Sequence, residues 1–335
     1  MTQTNPATPL PRTAKRRLRD RVVIAGLLGL FIVGLIGLAT ATGWAETWAQ
    51  VAKLGPAQIA ALLALSLANY LLRALRWHLF ARRLGLPTAL GTNALHFLAG
   101  FAMTVTPGRV GELVRMRWLR RETGWSFERT APLVLVDRAS DLAAMAVLLG
   151  LTASMSATGI AGAVPVTALA LIAAVIVTRP ALLAGLATRT HRATGLWPRL
   201  FARVRRAARS LARFADPRTF AVAAVLGGIG WFAEGFAFHL LLVWMGADIG
   251  LAKAVAIFIF SALAGGLTGA PGGVGGAEAA MIALLALDGV PLDVSVAATA
   301  IIRLTTLWFA ILIGMILFPL AERRSLKGKD ALENL

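Results

Sequence analysis

The chain has 335 residues, 58% of them hydrophobic and 15% charged, with a mean hydropathy of +0.73 and no Cys. Soluble domains average about 45–50% apolar and about 25% charged residues, and one compact core cannot hide so large an apolar excess. A soluble enzyme, a disordered chain and all thiolate or disulfide chemistry are excluded, which leaves an integral membrane protein. The charge is also lopsided: 34 Lys and Arg against 16 Asp and Glu give +18. The basic residues fall in clusters, six in 12–21, four in 73–83, six in 109–129, ten in 179–218 and four in 323–329. These alternate with long apolar runs, as orientation signals of a multi-pass protein do. No basic groove interleaved with aromatics points to nucleic acid.

A spanning helix needs about 20 largely apolar residues. The basic tail 1–21 precedes the first such run, 22–43, which is longer than the apolar region of a cleaved signal peptide and reads as a retained helix. Further spans are expected at 57–80, 131–153, 162–178, 219–243 and 294–318. Putting the basic clusters, Arg73 and Arg76 among them, on the cytoplasmic side of a bacterial-type inner membrane fixes the topology, with both termini inside and 321–335 as a cytoplasmic tail. Within 179–218, Arg199, Arg203, Arg206, Arg209 and Arg213 recur at helical spacing. That pattern suits either an amphipathic helix on anionic inner-leaflet lipid or an orientation-setting loop. Trp77 with His78, and Trp44, Trp48, Trp118 and Trp125, read as interfacial aromatics.

Two apolar stretches, 89–121 and 254–288, are interrupted by Pro and Gly. The first break is Pro107-Gly108-Arg109-Val110-Gly111-Glu112; the second is Pro271-Gly272-Gly273-Val274-Gly275-Gly276-Ala277-Glu278. A full crossing by 89–106 would put the six basic residues of 109–129 outside, and too few apolar residues follow Glu278 to span. Both are therefore expected to be re-entrant helix–break–helix hairpins, whose irregular backbone is tolerated only inside protein or beside a cavity.

The surroundings repeat as well. Trp77-His78-Leu79 with Gly85 parallels Phe238-His239-Leu240 with Gly246 at an offset of 161, and Pro107 parallels Pro271 at 164. Glu112 lies 26 residues before Arg138, and Glu278 lies 25 before Arg303. Residues 22–160 and 161–320 thus read as two repeats. One hairpin is entered from the basic side and the other from the opposite side, so the expected architecture is an all-α polytopic membrane protein. It has about six transmembrane helices and two re-entrant hairpins in an inverted-topology repeat, as secondary transporters have. The plain alternative is that Gly-rich apolar segments serve close helix packing.

Charges inside an apolar helix are functional candidates by default. Here they are Arg109, Glu112, Arg115, Asp137, Arg138, Asp141, Glu234, Glu278 and Arg303. Asp137 and Asp141 share a helix face, and Arg109 or Arg115 would neutralise them in a closed ion-pair network or in a binding site. Guanidinium grips phosphate bidentately, and helix N-termini after each Pro-Gly break would add N–H groups. Arg109, Arg115, Arg138 and Arg303 converging on one cavity suit a phosphate head group, with Glu112 and Glu278 balancing charge. His239 reads as a hydrogen-bonded helix residue rather than a proton carrier.

Taken together, Pro107 to Arg115, Asp137-Arg138-Ala139-Ser140-Asp141, Pro271 to Glu278 and Arg303 resemble the lysylphosphatidylglycerol synthase transmembrane-region family. This is the flippase-like domain of the bacterial multiple peptide resistance factor, and the resemblance extends over about 20–320. It departs in having Met103, Thr104 and Thr106 where the family often has Asn, and Asp137 where Glu is common. Only 15 residues follow Leu320, so no aminoacyl-transferase domain is expected after it. The resemblance implies a lipid flippase that moves aminoacylated phosphatidylglycerol or a related lipid, needs no cofactor or metal, and contacts membrane phospholipid, with homo-oligomerisation left open. The competing readings are a small-solute secondary transporter and a membrane-embedded lipid phosphatase or transferase.

Overall fold

A computed structural model describes residues 48–50, 52–104, 110–155, 163–194, 214 and 216–333, and every element among them is helical. In the first half, α1 (Pro56–Leu84) is followed by α2 (Leu90–Ala99), a 3-10 turn (Gly100–Met103), α3 (Val110–Thr123) and α4 (Phe127–Met155). Two connecting helices come next, α5 (Ala163–Thr178) and α6 (Pro180–Thr194). The second half comprises α7 (Pro217–Trp244), α8 (Leu251–Leu267), a 3-10 turn (Pro271–Gly273), α9 (Gly276–Leu287) and α10 (Leu292–Arg303). A π-helical turn, Leu304–Trp308, leads straight from α10 into α11 (Phe309–Glu333).

The ends of α1 and α7 are written in the sequence. Pro56 opens α1 and Pro217 opens α7, each in the first turn, where a missing N–H costs nothing. The Gly55 amide donates to Gln58 Oε1 at 2.6 Å. α1 stops at Gly85, whose φ of 84° only glycine adopts freely, with Arg82 and Arg83 in the last turn facing the negative end of the helix dipole. Asp216 caps α7, accepting from the Thr219 hydroxyl at 2.8 Å and amide at 3.0 Å, and it pairs with Arg83 at 2.9 Å. Those Thr219 bonds, helped by Arg83, hold the Asp216 carboxyl below its ordinary pKa.

The halves interlock. α1 packs along α7 in the middle; α4 packs on α8, and reciprocally α11 packs on α2, the Gly100–Met103 turn and α3. Each half thus lends its last long helix to cover the hairpin of the other. Among the described residues, three helices are long and apolar enough to cross a membrane: Pro56–Leu84, Arg218–Trp244 and Leu292–Gly328. These match the expected spans 57–80, 219–243 and 294–318. The expected span 131–153 falls on α4, whose 29 residues suffice in length but carry Asp137, Arg138 and Asp141 in their middle. The expected 162–178 is α5, only 16 residues long. The stretch 254–288 is broken between α8 and α9 at Pro271–Gly273, and 89–121 contains two helices, α2 and α3, with a 3-10 turn after the first. The run 22–43, the tail 1–21, Arg199 to Arg213 and the tip residues Pro107, Gly108 and Arg109 lie outside the described residues.

The aromatic expectations need correcting. Trp77 and Trp118 are buried at 1% and 0% exposure, not interfacial. Trp77 packs against Phe97, while Trp118 donates its indole N–H to Glu322 at 2.7 Å. His78 Nδ1 accepts from the Asn93 amide at 2.8 Å.

Helix contact across the halves depends on missing side chains. A Cβ on Gly314 of α11 would lie 2.2 Å from the Ala102 backbone nitrogen, in the turn it covers. Backbone cannot yield as a side chain does, so Gly314→Ala should lower stability by about 1–3 kcal/mol, read as an earlier thermal unfolding midpoint in detergent. Gly228→Ala in α7, whose Cβ would meet nothing within 4 Å, should not lower it.

Candidate functional site

The first polar feature is a ladder between two helices. Arg73 and Arg76 are three apart on α1, and Asp137 and Asp141 are four apart on α4, so each pair projects from one helix face. Arg76 Nη2 reaches Asp137 Oδ1 and Asp141 Oδ1, both at 2.7 Å, and Arg73 Nη2 reaches Asp141 Oδ2 at 2.7 Å. The Trp231 indole N–H of α7 adds a bond to Asp141 Oδ1 at 3.2 Å. Arg76 is fully buried. The sequence reading put Arg73 and Arg76 among the cytoplasmic orientation charges and looked to Arg109 or Arg115 as partners for the aspartates. The structure corrects both points: α1 supplies the partners. A usable signal was present, because two buried carboxylates at helical spacing require a cationic face of matching pitch.

The second feature occurs twice. Arg138 Nε donates to Glu112 Oε1 at 2.5 Å, joining α4 to α3. Arg303 Nε donates to Glu278 Oε1 at 2.6 Å, joining α10 to α9. In the second copy the break itself is tied in. Glu278 Oε2 accepts from the Gly275 amide at 2.7 Å, and Arg303 Nη2 donates to the Gly272 carbonyl at 3.0 Å. Gly272, Gly273 and Gly275 all have φ between 65° and 87°, a turn that side chains with a Cβ rarely enter. One N–H at the start of α9 is therefore taken by its own Glu278. Around the first break, Gly111 approaches so closely that an added Cβ would lie 2.6 Å from the Gly100 carbonyl oxygen.

Arg115 stands apart from both patterns. Its guanidinium lies 4.2 Å from the Phe97 ring centroid, with Trp77 and Phe101 at 5.5 and 5.6 Å, a cation held by aromatic faces. Nη2 donates to the Phe97 carbonyl at 2.8 Å, while Nε has no hydrogen-bond partner. Gly100 makes the space, since a Cβ there would sit 2.2 Å from Arg115 Nε.

These parts surround a cavity of about 230 Å³. Arg115, Glu112 and Arg138 reach it from the first half and Glu234 and Arg303 from the second, and Arg73 also lines it. Both breaks contribute wall, through Gly111 on one side and Gly272 and Gly273 on the other. Asp137 and Asp141 sit behind it in the ladder, and Glu278 and Gly275 sit behind Arg303; none of the four forms the wall. His239 lies away from it, 3.9 Å from Asp248. Arg73, Tyr70 and Trp231 are wall residues that the sequence reading did not single out.

The sequence profile of the lysylphosphatidylglycerol synthase transmembrane region matches residues 22–314. The chain belongs to that family. The match spans both breaks, the ladder and both Glu–Arg pairs, so the cavity is built within the family domain. In that synthase the catalytic part is a separate domain from this membrane region. A UPF0104 membrane protein of Methanothermobacter thermautotrophicus is 33% identical over 89 residues, covering 27% of this chain and 26% of that protein. The chain thus matches about a quarter of that relative's length, and it is a multi-pass membrane protein of a lipid-related family.

The ladder sets a stability expectation. Removing one member of a buried ion pair strands the other, at a cost of about 3–5 kcal/mol. Arg76→Leu should show a loss of that order in a dodecyl sulfate unfolding titration. Arg83→Leu, at a half-exposed pair, should leave the midpoint unchanged.

Proposed function

We propose that this family member is a lipid translocase that carries an anionic or aminoacylated phospholipid, phosphatidylglycerol or a related phosphate-bearing lipid, between the leaflets of a bacterial-type inner membrane. The observation that carries the reading is the meeting of Thr104 and Gly111, which flank the first break, with Gly272 and Gly273 of the second around a cavity walled by Arg73, Arg115, Arg138 and Arg303. Guanidinium groups keep their charge in apolar surroundings and match phosphate oxygens in pairs. Three of them are held by carboxylates, and Arg115, which has none, is a buried charge that is expensive to keep and that a phosphate ligand would balance.

The reciprocal cover of α8 by α4 and of the first hairpin by α11 supports an inverted repeat with each hairpin entering partway from its own side. In that arrangement the termini are cytoplasmic and the cavity lies near the bilayer midplane, where broken helices form the substrate sites of secondary transporters. The cavity volume supports head-group passage: it is below the roughly 300–1,000 Å³ of pockets that enclose a whole drug-sized ligand. A polar head fits there while the acyl chains remain in lipid. The transfer makes and breaks no covalent bond. What the protein supplies is a polar path for a group that hydrocarbon rejects.

The test is leaflet exchange in liposomes containing the purified protein and head-group- or chain-labelled lipids. Exchange of phosphatidylglycerol is expected, with Arg138→Ala and Arg303→Ala each reducing the rate at least about tenfold, the effect of losing roughly 1.4 kcal/mol from the transfer barrier. Exposed Arg129→Ala should have little effect. Absence of exchange for every phospholipid and polyprenyl phosphate tried, with flux of a small anion instead, would establish the solute-transporter alternative.

A further inference from the structure

Four carboxylates, Asp137 and Asp141 buried and Glu112 and Glu278 partly so, have a guanidinium of their own: Asp141 with Arg73, Asp137 with Arg76, Glu112 with Arg138, and Glu278 with Arg303. Among the described residues of the cavity and the ladder behind it, one cation and one acid remain, Arg115 and Glu234, and both line the cavity. Glu234 is 5% exposed, and among the described residues no Lys, Arg or His lies within ion-pair distance of it. The helices packed on α7 present few polar groups to Glu234. α1 offers Asn69, Tyr70 and Arg73, α4 offers Asp141, and α10 offers Arg303. α8 offers only the apolar Phe258, Ala262 and Gly266 to the cavity wall. Arg73 and Arg303 are already committed, to Asp141 and to Glu278 with the Gly272 carbonyl.

With Glu234 ionised, these ten described groups sum to zero charge. A phosphate monoanion arriving at Arg115 would leave a net negative charge in a site where effective dielectric is low and uncompensated charge is costly. One proton removes that excess, and Glu234 is the wall carboxylate with no cation of its own to release. We propose that Glu234 takes up one proton from water each time an anionic head group binds at Arg115, so that head group and proton enter the cavity together. The carboxylate becomes a carboxylic acid, the head group stays a monoanion, and nothing else changes covalently. The inference rests on the translocase reading for its substrate and adds the group that links transport to pH.

Calorimetric titration of the purified protein in uncharged detergent with dihexanoyl-phosphatidylglycerol tests this, run at pH 8 in HEPES and in Tris, whose ionisation enthalpies differ. The buffer-dependent heat should report uptake approaching one proton per lipid bound, and affinity should weaken by up to about tenfold per pH unit on the alkaline side. Glu234→Gln, uncharged like the protonated acid, should bind the lipid with no proton uptake and with affinity flat over the same pH range. Dihexanoyl-phosphatidylcholine, a zwitterion, should bind without uptake. Wild-type binding and leaflet exchange with no proton uptake, or undiminished uptake by Glu234→Gln, overturns the role of Glu234 and leaves the translocase standing. Absence of both phosphatidylglycerol binding and exchange in the wild type overturns the translocase reading together with it.

Discussion

A guanidinium withdrawn from water must find its counter-charge among its neighbours, and that requirement organises this protein. Where Arg76 is sealed off completely, two aspartates close around it and a tryptophan N–H completes one of them. Where Arg303 must stay at a cavity wall, one side of it is satisfied by Glu278 and by the backbone of the break, and the rest is left open. The difference between a structural arginine and an available one is thus whether the guanidinium reaches the cavity wall, which follows from which helices converge.

The same requirement explains the breaks. An unbroken helix satisfies its own backbone and has no carbonyl to spare. At Gly272 a left-handed turn frees one, and Arg303 takes it. Glu278 then serves both the Gly275 amide at the start of α9 and the arginine of α10, so the break and the two helices after it are held by three side-chain bonds. The first break shows the Glu112–Arg138 counterpart and adds a cation stacked on aromatic rings.

Much of this was legible in the sequence because the signals were local or periodic. The apolar length of α1, α7 and α10–α11, the Pro-Gly interruptions, and the 26- and 25-residue Glu–Arg intervals each mark one element or one contact between neighbours. What escaped was non-local. Arg73 and Arg76 sit beside Arg82 and Arg83 in the chain, and proximity invited one explanation for all four; only the packing of α1 on α4 separates buried from exposed. The same holds for Trp77 and Trp118, whose rings are internal because other helices cover them. Composition says how much charge and aromatic surface a membrane protein carries, but neighbouring helices decide which of it is hidden.

The π-helical turn between α10 and α11 has a geometric consequence of its own. One additional residue in that turn advances every later side chain by about 100° around the axis relative to an uninterrupted α-helix. Arg303 before it can therefore point into the cavity while Gly314 beyond it nestles against Ala102, although both ride on one rod from Leu292 to Gly328. The rod's angular phase is thereby as much a part of its design as its span. A single-residue deletion there would preserve hydrophobic length yet swing α11's bare glycine edge away from the neighbour it was shaped to meet.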